Sequence, residues 1–310
     1  MKPTLRDYVQ LHFLVLIFGF TAILGRLVSI PALTLVLWRT GLAAACMWGL
    51  YAWKKTPLFS SDLSSPEKRN LQVRMLGTGA IIAAHWILFF GSARVSNVSV
   101  CLAGLSTASL WTAFLEPLFS RKRVSPLEVC LGLLVILGLY LIFLFEFNHA
   151  LGLAMSVASA MLSALFSVFN SHFSKRVEPT TITTYEMTGA WVSTALFLPV
   201  YYLFLAPGET PDLVPHGDDW LWVGILALVC TVYAYAAFVR LFRTFTAFVL
   251  NLSLNMEPIY GILLAFVIFG DAEKMTGGFY AGASLIFGAV VLYPILNRWS
   301  KQEEKTASLS

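Results

Sequence analysis

Residues 245–270 read FTAFVLNLSLNMEPIYGILLAFVIFG, and the reading of this stretch decides the fold. At about 1.5 Å per residue it is long enough to cross a hydrocarbon core of about 30 Å. Its middle nevertheless carries Asn251, Asn255, Glu257 and Pro258. Counted from Thr246, Glu257 lies roughly 16 Å deep, near the bilayer midplane. A carboxylate at that depth is costly unless it faces a wet cavity, pairs or takes a proton. Pro258 has no N–H, so the carbonyl of Leu254 loses its helical partner. A deep acid beside a broken helical rung is the pattern of a substrate or ion site in a secondary carrier.

The rest of the chain has the same character. Of 310 residues, 58% are apolar and 12% charged, which is too apolar for a soluble domain and points to an all-α polytopic membrane protein. Ten apolar runs reach spanning length, at about 11–29, 33–53, 73–92, 96–119, 126–145, 149–171, 181–204, 220–240, 246–269 and 277–296. Most connections are short, as expected for antiparallel neighbours. The longer ones are 54–72 and 205–219, the second holding Pro207, Pro211 and Pro215. Lys2 and Arg6 precede the first run as in a signal peptide. No small-residue cleavage site follows it and further spans come at once, so an uncleaved span is expected. Cys46, Cys101, Cys130 and Cys230 all fall inside apolar runs without metal-ligand spacing and read as packing residues.

Charge sets the orientation. With the N-terminus in the cytoplasm, Arg26, Arg94 and Lys274 fall outside and Arg39 falls within a span, while the rest of the 21 lysines and arginines fall on cytoplasmic segments. That bias predicts cytoplasmic termini and an even number of spans.

The chain also repeats. Gly132 and Gly138 in CLGLLVILGLYLI recur as Gly282 and Gly288 in YAGASLIFGAVVL, at an offset of 150. Pro31 and Arg39-Thr40-Gly41 align with Pro179 and Met187-Thr188-Gly189, at an offset of 148. Spans 1–5 therefore recur as spans 6–10. Because five is odd, the second copy is inverted, an architecture with a site at the repeat interface.

The sequence LWRTGLAA around Arg39, the stretch SLNMEPIYGILLAFVIFGD and the following GFYAGASLIFGAVVL resemble the EamA-type carriers of the drug/metabolite transporter superfamily. The resemblance covers 11–145 and 149–296, which are expected as two five-helix repeats, with 297–310 as a cytoplasmic tail. It implies movement of a small organic solute, such as an amino acid or similar metabolite, frequently outward, through the inner or plasma membrane. The family often has a Gly-Glu pair after span 4; here Ser120-Arg121 stand there, and Gly270-Asp271 stand after span 9.

Ten residues are candidates for the site. Glu257 is either a proton or cation switch, the partner of a substrate ammonium, or a protonated carboxyl with a structural role. Asn251 and Asn255 share one helix face, as cavity lining or as interhelical glue; Tyr260 flanks the Glu257 face. Under the glycine offset Glu257 pairs with Thr107, so Ser106 and Thr107 are expected opposite it, as hydrogen-bond partners of a solute or as packing residues. Trp38, Trp111, Tyr185, Trp191, Tyr235 and Tyr260 either line an aromatic cavity or form an interfacial belt. His85 is central in span 3, as a packing or pathway residue. Arg39 lies about 9 Å from one end of span 2 and is set to bind a carboxylate, snorkel or pair an acid for structure. Glu186 mirrors it in span 7, from the opposite side. Glu116 reads as an interfacial residue reaching towards Arg121 or Lys122. The serines 156, 159, 163 and 167 of span 6 read as close helix packing.

The rival class is an integral-membrane enzyme acting on a lipid or isoprenoid, but the chain has no HExxH, GxSxG or aspartate-rich motif. Gly77-Thr78-Gly79 lacks the rest of a dinucleotide fingerprint. The expected partners are a small-molecule solute, the lipid bilayer and protons as coupling ion, with a homodimer left open; nothing calls for a cofactor, a metal or nucleic acid.

Overall fold

The computed structural model describes residues 3–55, 57–120, 126–145, 147–208 and 210–307. Every regular element among them is helical. The first three are α1 (Leu5–Leu27), α2 (Ala32–Lys54) and α3 (Ser65–Val95). Thr4 with Asp7 and Ser64 with Glu67 form capping boxes that start α1 and α3. Lys55, at φ 51°, ends α2 in the left-handed region.

Among the described residues, eight segments are long and apolar enough to cross a bilayer. They are α1, α2, α3, 98–119, 147–173, 179–205, 219–241 and 247–273. α6 (Pro126–Phe145) and α13 (Gly277–Ala307) are apolar over the shorter lengths Cys130–Phe145 and Gly277–Ala289. The two elements that fall short of the ten-span expectation are thus the last helix of each repeat. The outer surface is apolar, with Leu133, Leu196, Phe204, Leu263 and Val267 exposed to lipid.

The ninth run is broken rather than bent. α11 (Ala247–Leu254) and α12 (Glu257–Phe269) are separated by Asn255 and Met256. Their N–H groups reach back three residues, to Leu252 and Ser253, at 3.1 Å each. The fourth run, expected as one helix, is broken as well, into α4 (Val98–Leu105) and α5 (Ala108–Ser120). No proline causes this break. The Ser106 and Thr107 hydroxyls donate to the carbonyls of Ala103 and Gly104, at 2.6 and 2.8 Å, and so compete with the backbone ladder.

The two broken spans correspond residue by residue at an offset of 149. The N-caps are Asn97, whose Oδ1 accepts from the Val100 N–H, and Thr246, whose Oγ1 accepts from that of Val249. Arg94 clamps the Gly25 and Val28 carbonyls (3.3 and 3.1 Å), and Arg243 clamps those of Ser174 and Val177 (3.0 and 3.1 Å). All of these partners are 149 apart. Glu257 therefore corresponds to Ala108, not Thr107, and Asn255 to Ser106. The glycine offset of 150 applies only beyond the turn after α12, which carries one residue more.

Two helix pairs touch backbone to backbone. α8 (Pro179–Val200) lies so close to α3 that a Cβ on Gly79 would overlap the Glu186 carbonyl oxygen, and one on Gly189 that of Leu76. In α6 and α13, a Cβ on Gly138 would meet the Gly282 carbonyl at 2.7 Å. Without a hydrophobic force between helices in lipid, such small-residue seams hold the bundle.

At the N-terminal face Arg176 pairs with Glu67 and Arg243 with Glu178, at 2.9 and 3.0 Å. At the opposite face the proline-rich loop folds over α2, where Thr34 and Trp38 donate to the carbonyls of Asp212 and Leu213.

Candidate functional site

The two breaks meet at a central cavity that leaves about 80 Å³ for the centres of water-sized molecules. One such centre needs roughly 10–15 Å³, so the space holds several waters or a small solute. Phe18 and Thr21 of α1, Arg39 of α2 and His85, Trp86 and Phe89 of α3 form one side. Ser163, Phe166 and Ser167 of α7 (Ala150–Phe173), with Tyr235 and Phe238, form another. Leu105, Ser106, Asn255, Glu257 and Pro258 complete it from the breaks.

Glu257 opens α12 and is 4% exposed. Its carboxyl has no hydrogen-bond partner among the described residues. It faces the cavity at a helix N-terminus, where the backbone N–H groups carry partial positive charge.

Arg39 lies in the same cavity and is 2% exposed. Its Nε donates to Thr231 Oγ1 at 2.8 Å, and its guanidinium carbon sits 3.9 Å from the centre of the Trp86 ring. Nη1 is buried without a partner among the described residues. The expectations of snorkelling or pairing with an acid are both corrected: no ion pair joins Arg39 to Glu257 or Glu186 among the described residues. A cation–π face and one hydroxyl take the place of an acid. Thr231 is placed by a π-helical turn, Leu228–Tyr235, between α9 (Asp219–Ala227) and α10 (Ala236–Leu241). Its hydroxyl donates to the Leu226 carbonyl five residues back, at 2.8 Å.

His85 lines the cavity with its ring stacked on Phe89, and its Nδ1 lies 2.8 Å from Ser159 Oγ. Ser106 and Asn255 form part of the wall between this cavity and a second, apolar space of about 270 Å³ beside α13. Asn255 Nδ2 donates to Ser109 Oγ and Asn251 Nδ2 to Thr112 Oγ1, both at 2.8 Å. These bonds tie α11 to α5, so both asparagines act as interhelical glue, and only Asn255 also lines the cavity.

The structure does not bring Asn251, Thr107, Trp111 or Tyr260 to the cavity wall. Thr107 bonds within its own turn, and Trp111 Nε1 is buried without a partner among the described residues. Glu186 is one bond removed from the cavity: Tyr235, which lines it, donates to Glu186 Oε2 at 3.0 Å. Residues missed by sequence reading are Trp86, Phe166 and Thr231; of the aromatic residues named from the sequence, Tyr235 lines the cavity. Ser163 and Ser167 were legible as a small polar stripe, but they line the cavity as well as packing.

Glu116, expected near the interface, reaches the ninth span. Its Oε2 accepts from the Phe248 N–H at 2.9 Å, capping α11, because the antiparallel broken spans bring the end of α5 against the start of α11. Arg121, Lys122 and Arg123 lie outside the described residues. Glu273 does the same at the opposite face. Its carboxylate accepts from the Val98 and Ser99 N–H groups and the Ser99 hydroxyl, at 3.0, 2.9 and 2.8 Å, capping α4. Each broken span thus supplies the carboxylate that caps the other.

No curated protein matches the chain. A solved structure described as "Crystal structure of protein" shares the fold, with a TM-score of 0.65 at 17% identity over 94% of this chain and 98% of that one. The model of the EamA-like transporter family matches twice, over residues 8–144 and 150–293. With its helical spans, its two-repeat organisation and that match, this multi-pass membrane protein belongs to the EamA-like transporter family.

Proposed function

We propose that the chain is a secondary carrier that moves a small zwitterionic solute of the amino-acid type outward across the cell (inner) membrane by alternating access. One observation carries this reading: Arg39 and Glu257 line a single cavity, with opposite charge and no ion pair to each other among the described residues. Arg39 binds the solute carboxylate through the guanidinium nitrogens not engaged by Thr231, and Glu257 binds the ammonium. The rings of Phe18, Trp86, Phe89, Phe166 and Phe238 receive the apolar part. The same carboxyl exchanges a proton for the solute, which makes protons the coupling ion.

Ten spans form two inverted repeats, 11–145 and 149–296, with both termini and the 297–310 tail in the cytoplasm. The halves rock about the breaks in the fourth and ninth spans. The site has one carboxylate without a symmetric mate, since the repeat counterpart of Glu257 is Ala108.

Flux of labelled amino acids in proteoliposomes, with and without a pH gradient, tests the role of Glu257. Gradient-driven flux is expected in the parent and lost in Glu257→Gln; an unchanged rate and pH dependence in the variant would show the assignment to be wrong. Recovery of the solute chemically unchanged on the far side separates a carrier from a membrane enzyme.

A further inference from the structure

Away from the central cavity, three buried oxygen atoms have no hydrogen-bond partner among the described residues: Asn170 Oδ1 on α7, and Thr183 Oγ1 and Glu186 Oε1 on α8. All three residues are 0% exposed. Asn170 and Glu186 lie side by side, with Nδ2 3.5 Å from Oε2. Thr183 precedes Glu186 by three positions, which sets their Cβ atoms about 5–6 Å apart on one helix face.

The orientation of these groups is constrained by their neighbours. Asn170 Nδ2 donates to the Tyr235 hydroxyl at 2.9 Å, and that hydroxyl donates to Glu186 Oε2 at 3.0 Å. The amide nitrogen is therefore committed to this chain, leaving Oδ1 outside it. Thr184, Thr188 and Thr194 on the same helix donate to the carbonyl four residues back, each at 2.7 Å. Thr183 forgoes that bond. A buried oxygen left unsatisfied is costly, and three in one neighbourhood call for an occupant.

We propose that Glu186, Asn170 and Thr183 form a binding site for a dehydrated monovalent cation of the size of sodium. Oxygen-only donors suit a hard cation. A single carboxylate is neutralised by one positive charge, whereas a divalent ion would leave net charge in a low-dielectric interior. The site is linked to the cavity through Tyr235, whose ring packs on Trp86 at 6.2 Å between centroids, and Trp86 in turn carries Arg39. Occupancy fixes the Glu186 carboxylate, and with it the Tyr235 hydroxyl at the cavity wall.

The test needs no transported solute, so its failure is distinct from failure of the carrier reading. Thermal unfolding of the purified full chain is followed as sodium chloride replaces choline chloride at constant ionic strength. A saturable rise in Tm is expected in the parent, since an ion that binds the folded state stabilises it by mass action. Glu186→Gln is expected to abolish the rise. Thr183→Val, which keeps the side-chain shape, is expected to raise the apparent Kd for sodium by about tenfold or more. The proposal is overturned by a parent whose Tm does not respond to sodium, including one that responds to pH alone, because Glu186 is then a proton site. It is equally overturned if both variants keep the parent response, or if Glu257→Gln loses the response while Glu186→Gln retains it.

Discussion

Removing the Glu273 carboxylate strips three hydrogen bonds from the first turn of α4. Leaving those buried donors unpaired costs about 2–3 kcal/mol, so Glu273→Ala is expected to lower thermal stability in detergent by that amount. Glu273→Gln keeps an acceptor and is expected to lose roughly half as much. Arg39 makes a different kind of demand. Lysine keeps the charge but not the planar group that lies on Trp86 while donating to Thr231. Arg39→Lys is therefore expected to lower Tm and to weaken solute binding by about tenfold or more, the latter read as the ligand-induced rise in Tm relative to each protein's own ligand-free value. Neither role was legible from the residue alone. Arg39 was visible as a charge within a span, but its partner Thr231 lies 192 positions away. Glu116 looked interfacial by depth, and only the packing places Phe248 above it.

At the scale of elements, the sequence marked one helix break and concealed the other. Pro258 announces the interruption in the ninth span, because a missing N–H can be read from the residue type. The interruption in the fourth span rests on hydroxyls that choose backbone carbonyls, a choice that Ser and Thr make only in some contexts. Helix seams were hidden in the same way. Gly77 and Gly79 are two residues apart in one helix, yet a Cβ on Gly77 meets nothing within 4 Å while one on Gly79 overlaps α8. Gly77→Ala is expected to be neutral or slightly stabilising through helix propensity, while Gly79→Ala costs about 1–3 kcal/mol by forcing α3 and α8 apart. Parallel thermal unfolding of the two variants checks the contrast; equal behaviour would refute the seam.

At the scale of the molecule, the repeat appears as an exchange of parts. Glu116 caps α11 at the N-terminal face and Glu273 caps α4 at the opposite one, so each broken span anchors the start of its counterpart. The paired clamps of Arg94 and Arg243 lie at opposite faces too, and Arg94, with Arg26, accounts for two of the positive charges on the side otherwise poor in them. Both are absorbed by backbone carbonyls at the helix ends. The ten-span arrangement is checked by reporter fusions. A reporter active only in the cytoplasm is expected to function after residue 310 and to fail when inserted in the 205–219 loop. An external signal from the C-terminus would contradict the even span count.

The sequence by itself determined that the chain is helical and crosses the bilayer many times, and that it is built from two repeats. These follow from composition, run length and repetition, because lipid forces every backbone group to be satisfied within a helix. The tertiary structure alone decided which side chains share a cavity, because that depends on contacts between residues far apart in the chain. It set Arg39 on Trp86, joined Tyr235 to Glu186, aligned the breaks at an offset of 149 and turned Glu116 into a cap. The broken stretch at 245–270 remains at the centre, with Glu257 in a cavity whose opposite charge comes from the second span.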